Sequence, residues 1–147
     1  MNLPESDEYY RIPGYPDHLS STAVLARMLD GLGFRFYWAT EGLRARVGDI
    51  MSIGELAVCI WQLMNWVSTD ALKTRHYRNP KDGPDAREQT LVIIHDLKAA
   101  ILALNNEVLS ELHFLGRPFW HIITGPFSDA LTHTGQINSF RRLNGNP

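Results

Sequence analysis

The chain has 147 residues, of which 44% are hydrophobic and 20% are charged, a balance typical of one globular domain with a real core. Its formal net charge of −2 argues against a nucleic-acid partner, because no global positive field would attract phosphates. No apolar run is long enough for a bilayer, and the start of the chain does not resemble a secretory signal, so we expect no membrane partner. The single cysteine, Cys59, precludes an intrachain disulfide and suits a cytoplasmic protein.

Residues 1–19 contain three prolines and several tyrosines without a regular hydrophobic period, which predicts an extended arm packed on the domain of residues 20–147. Ser20 to Thr22 offer an N-cap for helix 1. Its apolar residues follow helical spacing: Val24, Leu25, Met28, Leu29 and Leu32. Gly31 and Gly33 weaken this helix by about 1 kcal/mol each relative to alanine, and close packing against a neighbouring element would explain both.

The second helix is predicted to begin at a capping box, Ser52 to Glu55, whose serine and glutamate each satisfy an orphan backbone N–H. Apolar residues recur behind it at helical spacing: Ile53, Leu56, Ala57, Ile60, Leu63, Met64 and Val67. The polar stretch 75–85 contains two prolines and a glycine, which predicts a loop that is long for a link between helices.

Asp85 with Glu88 makes a plausible cap for helix 3, which is defined by Ile94, Leu97, Ile101, Leu104 and Val108. Gly116 and Pro118 break the pattern before helix 4, and Pro126 suits that helix's first turn. Four helices without a credible strand series predict an all-α protein, a four-helix bundle. The long link between helices 2 and 3 permits a crossover topology.

The segment from Gly125 to Arg142 carries the main functional signal. Asp129, His133 and Gln136 are spaced i, i+4 and i+7, so they project from one helical face. That face is predicted to meet the core, because it also carries Ala130, Ile137 and Phe140. An unsatisfied buried polar group costs about 1–3 kcal/mol. Asp129 and His133 therefore either satisfy one another as a core pair or share a ligand such as a metal ion.

The sequence His133-Thr134-Gly135-Gln136 resembles the H-x-G-Q signature of the DinB-like superfamily of small bacterial four-helix bundles. The SIGELAVCIWQLMNWV segment is similar to the second helix of that superfamily, and the resemblance covers most of residues 20–147. It implies a divalent metal held between one helix-2 residue and two helix-4 residues a turn apart. Asp129 and His133 match the helix-4 positions, and Cys59 occupies the helix-2 position, where a histidine is common.

A Cys59, Asp129 and His133 set suits a zinc-like ion, with nickel or manganese as alternatives, and leaves one coordination position open. Cysteine also often fills space in a core, so both interpretations of Cys59 stay open. We expect Gln136 to support or cap the site rather than bind the metal, and His121 is the best spare ligand. The link from Arg44 to Met51 is shorter than the resemblance leads us to expect, which would alter or close a substrate pocket.

Two functions follow from the resemblance. The first is a metal-dependent enzyme, a thiol S-transferase or hydrolase type, acting on a small thiol or another small molecule. The alternative is a non-catalytic bundle that has lost the metal site and serves as a binding or interaction module. The replacement of the helix-2 histidine favours the alternative.

A homodimer is also predicted, because helices 1 and 2 carry more aromatic and apolar side chains than one core accepts. These residues are Phe34, Phe36, Tyr37, Trp38, Val58, Trp61 and Trp66. A twofold partner would cover them. The alternative cover is the arm of residues 1–19.

Overall fold

The structure is a computed structural model that describes residues 8–43 and 50–144. Most of these residues lie in helices: α1 (Ser21–Thr40), α2 (Ile50–Trp66), α3 (Gly83–Leu102), α4 (Asn106–Glu111), α5 (Trp120–Ile122) and α6 (Ser128–Leu143). Two π-helical turns, Val67–Ala71 and Ile123–Phe127, continue α2 and precede α6. The strands β1 (His113–Phe114) and β2 (Arg117–Pro118) form a short antiparallel pair. The all-α class is confirmed.

The core lies between the four long helices. Helix α1 packs against α3 and α6, and α2 packs against the same two helices. Every long helix contributes fully buried apolar side chains, among them Leu29, Phe36, Ile60, Met64, Ile93, Leu97 and Ile137. Burial of each such side chain stabilises the fold by about 1.5–3 kcal/mol. Within residues 8–43 and 50–144, no helix has the length and apolarity needed to cross a membrane.

The predicted start of α1 is confirmed, because Ser20 Oγ accepts a hydrogen bond from the Ala23 N–H at 3.1 Å. The N-cap of α3 was predicted at Asp85, and this prediction is wrong, because the N-cap lies three residues earlier, at Asp82. Asp82 Oδ1 accepts the bond from the Asp85 N–H at 2.9 Å, so the helix begins at Gly83. The Asp85 carboxylate accepts two bonds of 2.6 Å from the Arg78 guanidinium instead, and these lower the pKa of Asp85.

Two other predicted boundaries are also wrong. Helix α2 begins at Ile50, so the backbone of Ser52 lies inside the helix, while its side chain and the link 44–49 lie outside the described part of the chain. Helix α3 ends at Leu102, and Val108 belongs to the separate helix α4. The reason is local: Asn105 Oδ1 accepts from the Val108 N–H at 2.8 Å and starts the new helix.

Residues 8–10 of the N-terminal arm are inserted between α1 and α3. Tyr9 is only 3% exposed, and its ring occupies the space left by Gly33, where an added Cβ would lie 2.4 Å from Tyr9 Cδ1. Close packing therefore explains Gly33, as predicted. Glu8 pairs with His95 of α3 at 2.5 Å. The first seven residues of the predicted arm lie outside the described part of the chain.

The aromatic side chains near the end of α1 are partly covered by Tyr10. Its ring centroid lies 5.0 Å from that of Trp38 and 6.4 Å from that of Tyr37. Trp38 Nε1 also donates a hydrogen bond to the Tyr10 carbonyl oxygen at 3.2 Å. Phe36 is buried in the core. The arm therefore contacts two of the seven side chains from which a dimer was predicted, Tyr37 and Trp38.

A buried ion pair joins α1 to α3 beneath the arm. Lys98 Nζ lies 2.6 Å from Asp30 Oδ1, and the Asp30 side chain is 8% exposed. Such a pair loses hydration on folding and offsets that loss only while both charges are present. The pair fixes the contact between the two helices.

Candidate functional site

Helix α6 does not turn its predicted polar residues into the core. Its buried residues are Ala130, Thr134 and Ile137, whereas Asp129 is exposed and His133 is half-buried. The prediction that Asp129 and His133 share a buried stripe is therefore wrong. The buried stripe is rotated by about one residue, or ~100°. Thr134 is accommodated in it because its Oγ1 donates to the Ala130 carbonyl oxygen at 2.7 Å.

His133 has a different partner from the one expected. Its Nδ1 lies 2.8 Å from Gln136 Oε1, a distance at which the protonated nitrogen donates to the amide oxygen. Gln136 itself is exposed. The pair holds the imidazole from within its own helix, and the supporting role of Gln136 at a metal site stays a prediction.

Cys59 and His121 also lie outside a common cluster. Cys59 is exposed on α2. The ring of His121 stacks on Phe114 with centroids 5.9 Å apart, and it lies against Gly125. Across residues 8–43 and 50–144, no three His, Cys, Asp or Glu side chains are placed together to hold a metal ion. The ligand set Cys59, Asp129 and His133 is not assembled here and stays a prediction.

A concave site lies elsewhere, between the arm, α1 and α6. This groove has a volume of about 980 Å³. Apolar side chains dominate its walls: Ile12, Pro16 and Leu19 from the arm, Val24, Met28 and Leu32 from α1, and Leu131 from α6. Leu19 is 92% exposed and Val24 is 45% exposed. The groove therefore presents to solvent apolar side chains that the core does not use.

Two glycines keep the groove open. A Cβ added to Gly135 would have no atom within 4 Å, and one added to Gly31 would meet only Arg35 Nη1, at 3.1 Å. Neither glycine has a positive φ. Each nevertheless costs its helix about 1 kcal/mol relative to alanine. The predicted packing of Gly31 against a neighbouring element is therefore wrong, because the added Cβ meets only Arg35 of the same helix. The unexplained cost of these two glycines is a sequence signal that could have indicated the groove.

The H-T-G-Q motif is divided by the two sides of α6. Gly135, with Thr134, lines the groove next to α1. His133 and Gln136 form their own pair and are not among the groove residues. Gly135 follows His133 by two residues, and the resulting turn of ~200° places the glycine on nearly the opposite side of the helix from the imidazole. One motif thus serves two different surfaces.

Comparisons of this chain with protein-family models, with curated proteins and with solved structures give no match. The resemblance to the DinB-like superfamily therefore stays a prediction.

Proposed function

We propose that this protein is a non-catalytic binding module of the DinB-like type, and that its ligand site is the groove between the arm, α1 and α6. The groove itself is the observation that carries the proposal. Its volume of about 980 Å³ falls within the range of roughly 300–1,000 Å³ typical of small-molecule sites. Its walls are mainly apolar, as such sites usually are.

The helix contacts support a four-helix bundle as the scaffold. Helices α1 and α2 each pack against both α3 and α6, which is the closed arrangement expected of a bundle. Residues 72–82 would then be the long crossover from α2 to α3. Ligand sites in such folds are formed between helices, and the groove lies between two of them.

The exposure of the groove walls indicates what a ligand would gain. Ile12 and Leu131 are 38% and 37% exposed, and Leu19 and Val24 are more exposed still. Each Å² of apolar surface removed from water contributes about 25 cal/mol. A small molecule with an apolar body would bury surface on the arm and on both helices, and this supports a ligand of that class.

A neutral fluorescent probe, N-phenyl-1-naphthylamine, tests the proposal in the full chain. We expect its emission to rise saturably on binding and the rise to be lost in Gly135→Leu, which fills the groove. Ser139→Leu is the matched control, because Ser139 is exposed on the same helix but does not line the groove. Loss of binding in both variants, or in neither, would contradict the proposal.

The metal-dependent enzyme, a thiol S-transferase or hydrolase type, is retained as a second proposal because of one observation. The bond of His133 Nδ1 to Gln136 leaves Nε2 as the ring nitrogen for a ligand, and metal-bound histidines usually have the other nitrogen held in this way. Zinc titration of the chelator-stripped protein is the test. Saturable uptake that is lost in His133→Ala but kept in the exposed-residue control His113→Ala supports it. No saturable uptake of zinc, nickel or manganese contradicts it.

The homodimer also stays a proposal. Trp61 and Phe36 are buried, so the apolar surface is smaller than predicted, and Trp66, at 44% exposed, is the main residue left to support it on α2. Light scattering of the full chain at micromolar concentration is the test. A monomer mass would rule the dimer out.

A further inference from the structure

The charged residues of the groove are all of one sign. Arg27 and Arg35 of α1 lie along it, and no Asp or Glu is among its lining residues in the described part of the chain. The chain as a whole carries a formal charge of −2, so this local excess of positive charge is opposite to the overall balance. Such a groove is complementary to an anion.

Arg27 is already occupied in holding the arm. Its Nη1 donates to the carbonyl oxygens of Pro13, at 2.5 Å, and Gly14, at 3.3 Å. Its guanidinium also lies 4.7 Å from the ring centroid of Tyr15. These contacts fix the position of the arm over α1. Arg27 is therefore part of the wall of the groove.

Arg35 is engaged much less. Its Nη1 donates to the Gly31 carbonyl oxygen at 3.1 Å, one turn earlier in α1. A guanidinium has five N–H donors, so several remain available. None of the ion pairs between described residues involves Arg35. A carboxylate can accept two parallel bonds from a guanidinium in this state.

The apolar and cationic parts of the groove are arranged along one helix. From Val24 to Arg35, α1 rises by ~16 Å. Met28 and Leu32 lie between these two residues and also line the groove, as does Leu131 of α6, although Leu32 is only 2% exposed. An apolar tail along this wall would bring an anionic head to Arg35. The arrangement separates the two ends of an amphipathic ligand.

We propose that the groove binds a soluble amphipathic carboxylate, such as a fatty acid, with its head on Arg35 and its tail between α1, α6 and the arm. This inference rests on the proposed function, because it names the ligand class of the same groove. Arg35 supplies the preference for an anion. The apolar walls supply the preference for a tail.

Calorimetric titration of the full chain with three ligands of equal chain length tests the head group: octanoate, 1-octanol and octylammonium. We expect one octanoate per chain, with 1-octanol about tenfold weaker because a charge-assisted bond is lost. Octylammonium should bind more weakly still, because its charge repels both arginines.

Two arginine variants identify the group responsible. Arg35→Gln should weaken octanoate binding about tenfold and leave 1-octanol binding unchanged. Arg142→Gln is the matched control, because Arg142 is exposed on α6 and does not line the groove. An equal effect of both variants would overturn the assignment to Arg35.

The outcomes separate this inference from the proposed function. If octanoate and 1-octanol bind equally and Gly135→Leu abolishes both, the groove binds apolar ligands and the anion inference is overturned. If neither the octyl ligands nor the neutral probe bind, the proposed function fails with it. A dimer that dissociates in Gly135→Leu would show that a second copy occupies the groove, which overturns both.

Discussion

The N-terminal arm has two parts that use the same kinds of side chain in opposite ways. In the anchored part, residues 8–10, Tyr9 is 3% exposed and lies in the core. In the wall part, residues 11–19, Tyr15 is 87% exposed and Leu19 is 92% exposed. The anchored part fits a space made for it by Gly33. The wall part is held mainly at its backbone, by Arg27.

The difference shows that the arm is more than a cover for α1. The anchored part gains stability from burial, as any core segment does. The wall part leaves apolar side chains in water, which gains nothing in the free protein. Such exposure is typical of a binding surface. The two parts should therefore respond differently to substitution, stability changing with the first and binding with the second.

Removal of the Tyr9 side chain from the anchored part gives the largest expected effect on stability. Tyr9→Ala should lower the free energy of unfolding by about 3 kcal/mol, because it removes a large buried ring and leaves a cavity. Urea denaturation measures the change. Tyr15→Ala is the control and should cost less than about 1 kcal/mol, the value of an exposed cation–π contact. Similar losses in both variants would remove the distinction between the two parts of the arm.

Two glycines in helices provide a second contrast. Gly33→Ala should destabilise the protein by about 1–2 kcal/mol, because displacement of Tyr9 outweighs the gain in helix propensity. Gly135→Ala should stabilise it by up to about 1 kcal/mol, because its Cβ meets nothing. Thermal and urea unfolding of the two variants provide the measurement. A gain in stability for both would show that Tyr9 does not depend on Gly33.

Alkaline pH should weaken the anchor. Burial, followed by the nearby charges of Glu8, Asp30 and Asp96, raises the pKa of Tyr9. The folded protein therefore keeps the Tyr9 proton to a higher pH than the unfolded chain does. The resulting contribution to the free energy of unfolding is fully present below the pKa of an unfolded tyrosine, about 10, and is lost as the pH rises above that value. At pH 11 we expect a loss of about 1 kcal/mol relative to pH 8.

Tyr9→Phe is the control for this titration. The Tyr9 hydroxyl is buried without a hydrogen-bond partner among the described residues, so the variant should be as stable as the parent or slightly more stable at pH 8. Its advantage should widen by about 1 kcal/mol at pH 11. Contributions from other ionising groups cancel in the difference. A constant difference between the two proteins would contradict the assignment.

The smallest effect on stability is expected in the wall. Leu19→Ser should change the free energy of unfolding by less than about 0.5 kcal/mol, because the side chain is almost fully exposed. It should nevertheless weaken binding of the neutral probe several-fold, because it removes apolar surface from the groove. Urea unfolding measures the effect of the substitution on stability, and fluorescence titration with the probe measures its effect on binding. Unchanged binding would mean that this part of the arm does not contact the ligand.

The sequence predicted some local features correctly and misplaced the start of α2 and both ends of α3. The Ser20 cap, the all-α class and the close packing at Gly33 are confirmed, because a cap or a costly glycine depends on few residues. The cap of α3 was misplaced because Asp82 and Asp85 are both suitable, and the guanidinium that engages Asp85 belongs to the loop, at Arg78. Residue spacing alone does not show which of two suitable aspartates caps the helix, because the answer depends on which one is bonded to Arg78.

The rotation of α6 was the consequential error. Spacing placed Phe140 on the core face, whereas Phe140 is 38% exposed and Thr134 is buried. A threonine that returns its hydrogen bond to its own helix can be buried at little cost, so polarity alone misassigned the face. The groove was missed because it depends on the arm meeting α1 and α6, a contact between distant parts of the sequence.

The ion pair between Asp30 and Lys98 also constrains how the sequence can change over evolution. Loss of Lys98 leaves the buried Asp30 carboxylate without its cation and is expected to cost a few kcal/mol, about a quarter or more of the stability of a domain. Loss of Asp30 costs less, because Lys98 is 22% exposed and its ammonium can reach water. Replacement of both by apolar residues of similar volume is close to neutral. Homologous chains should therefore keep both residues or have exchanged both, with few sequences in between. Covariation at these two positions in an alignment would indicate, from sequences alone, that α1 packs against α3.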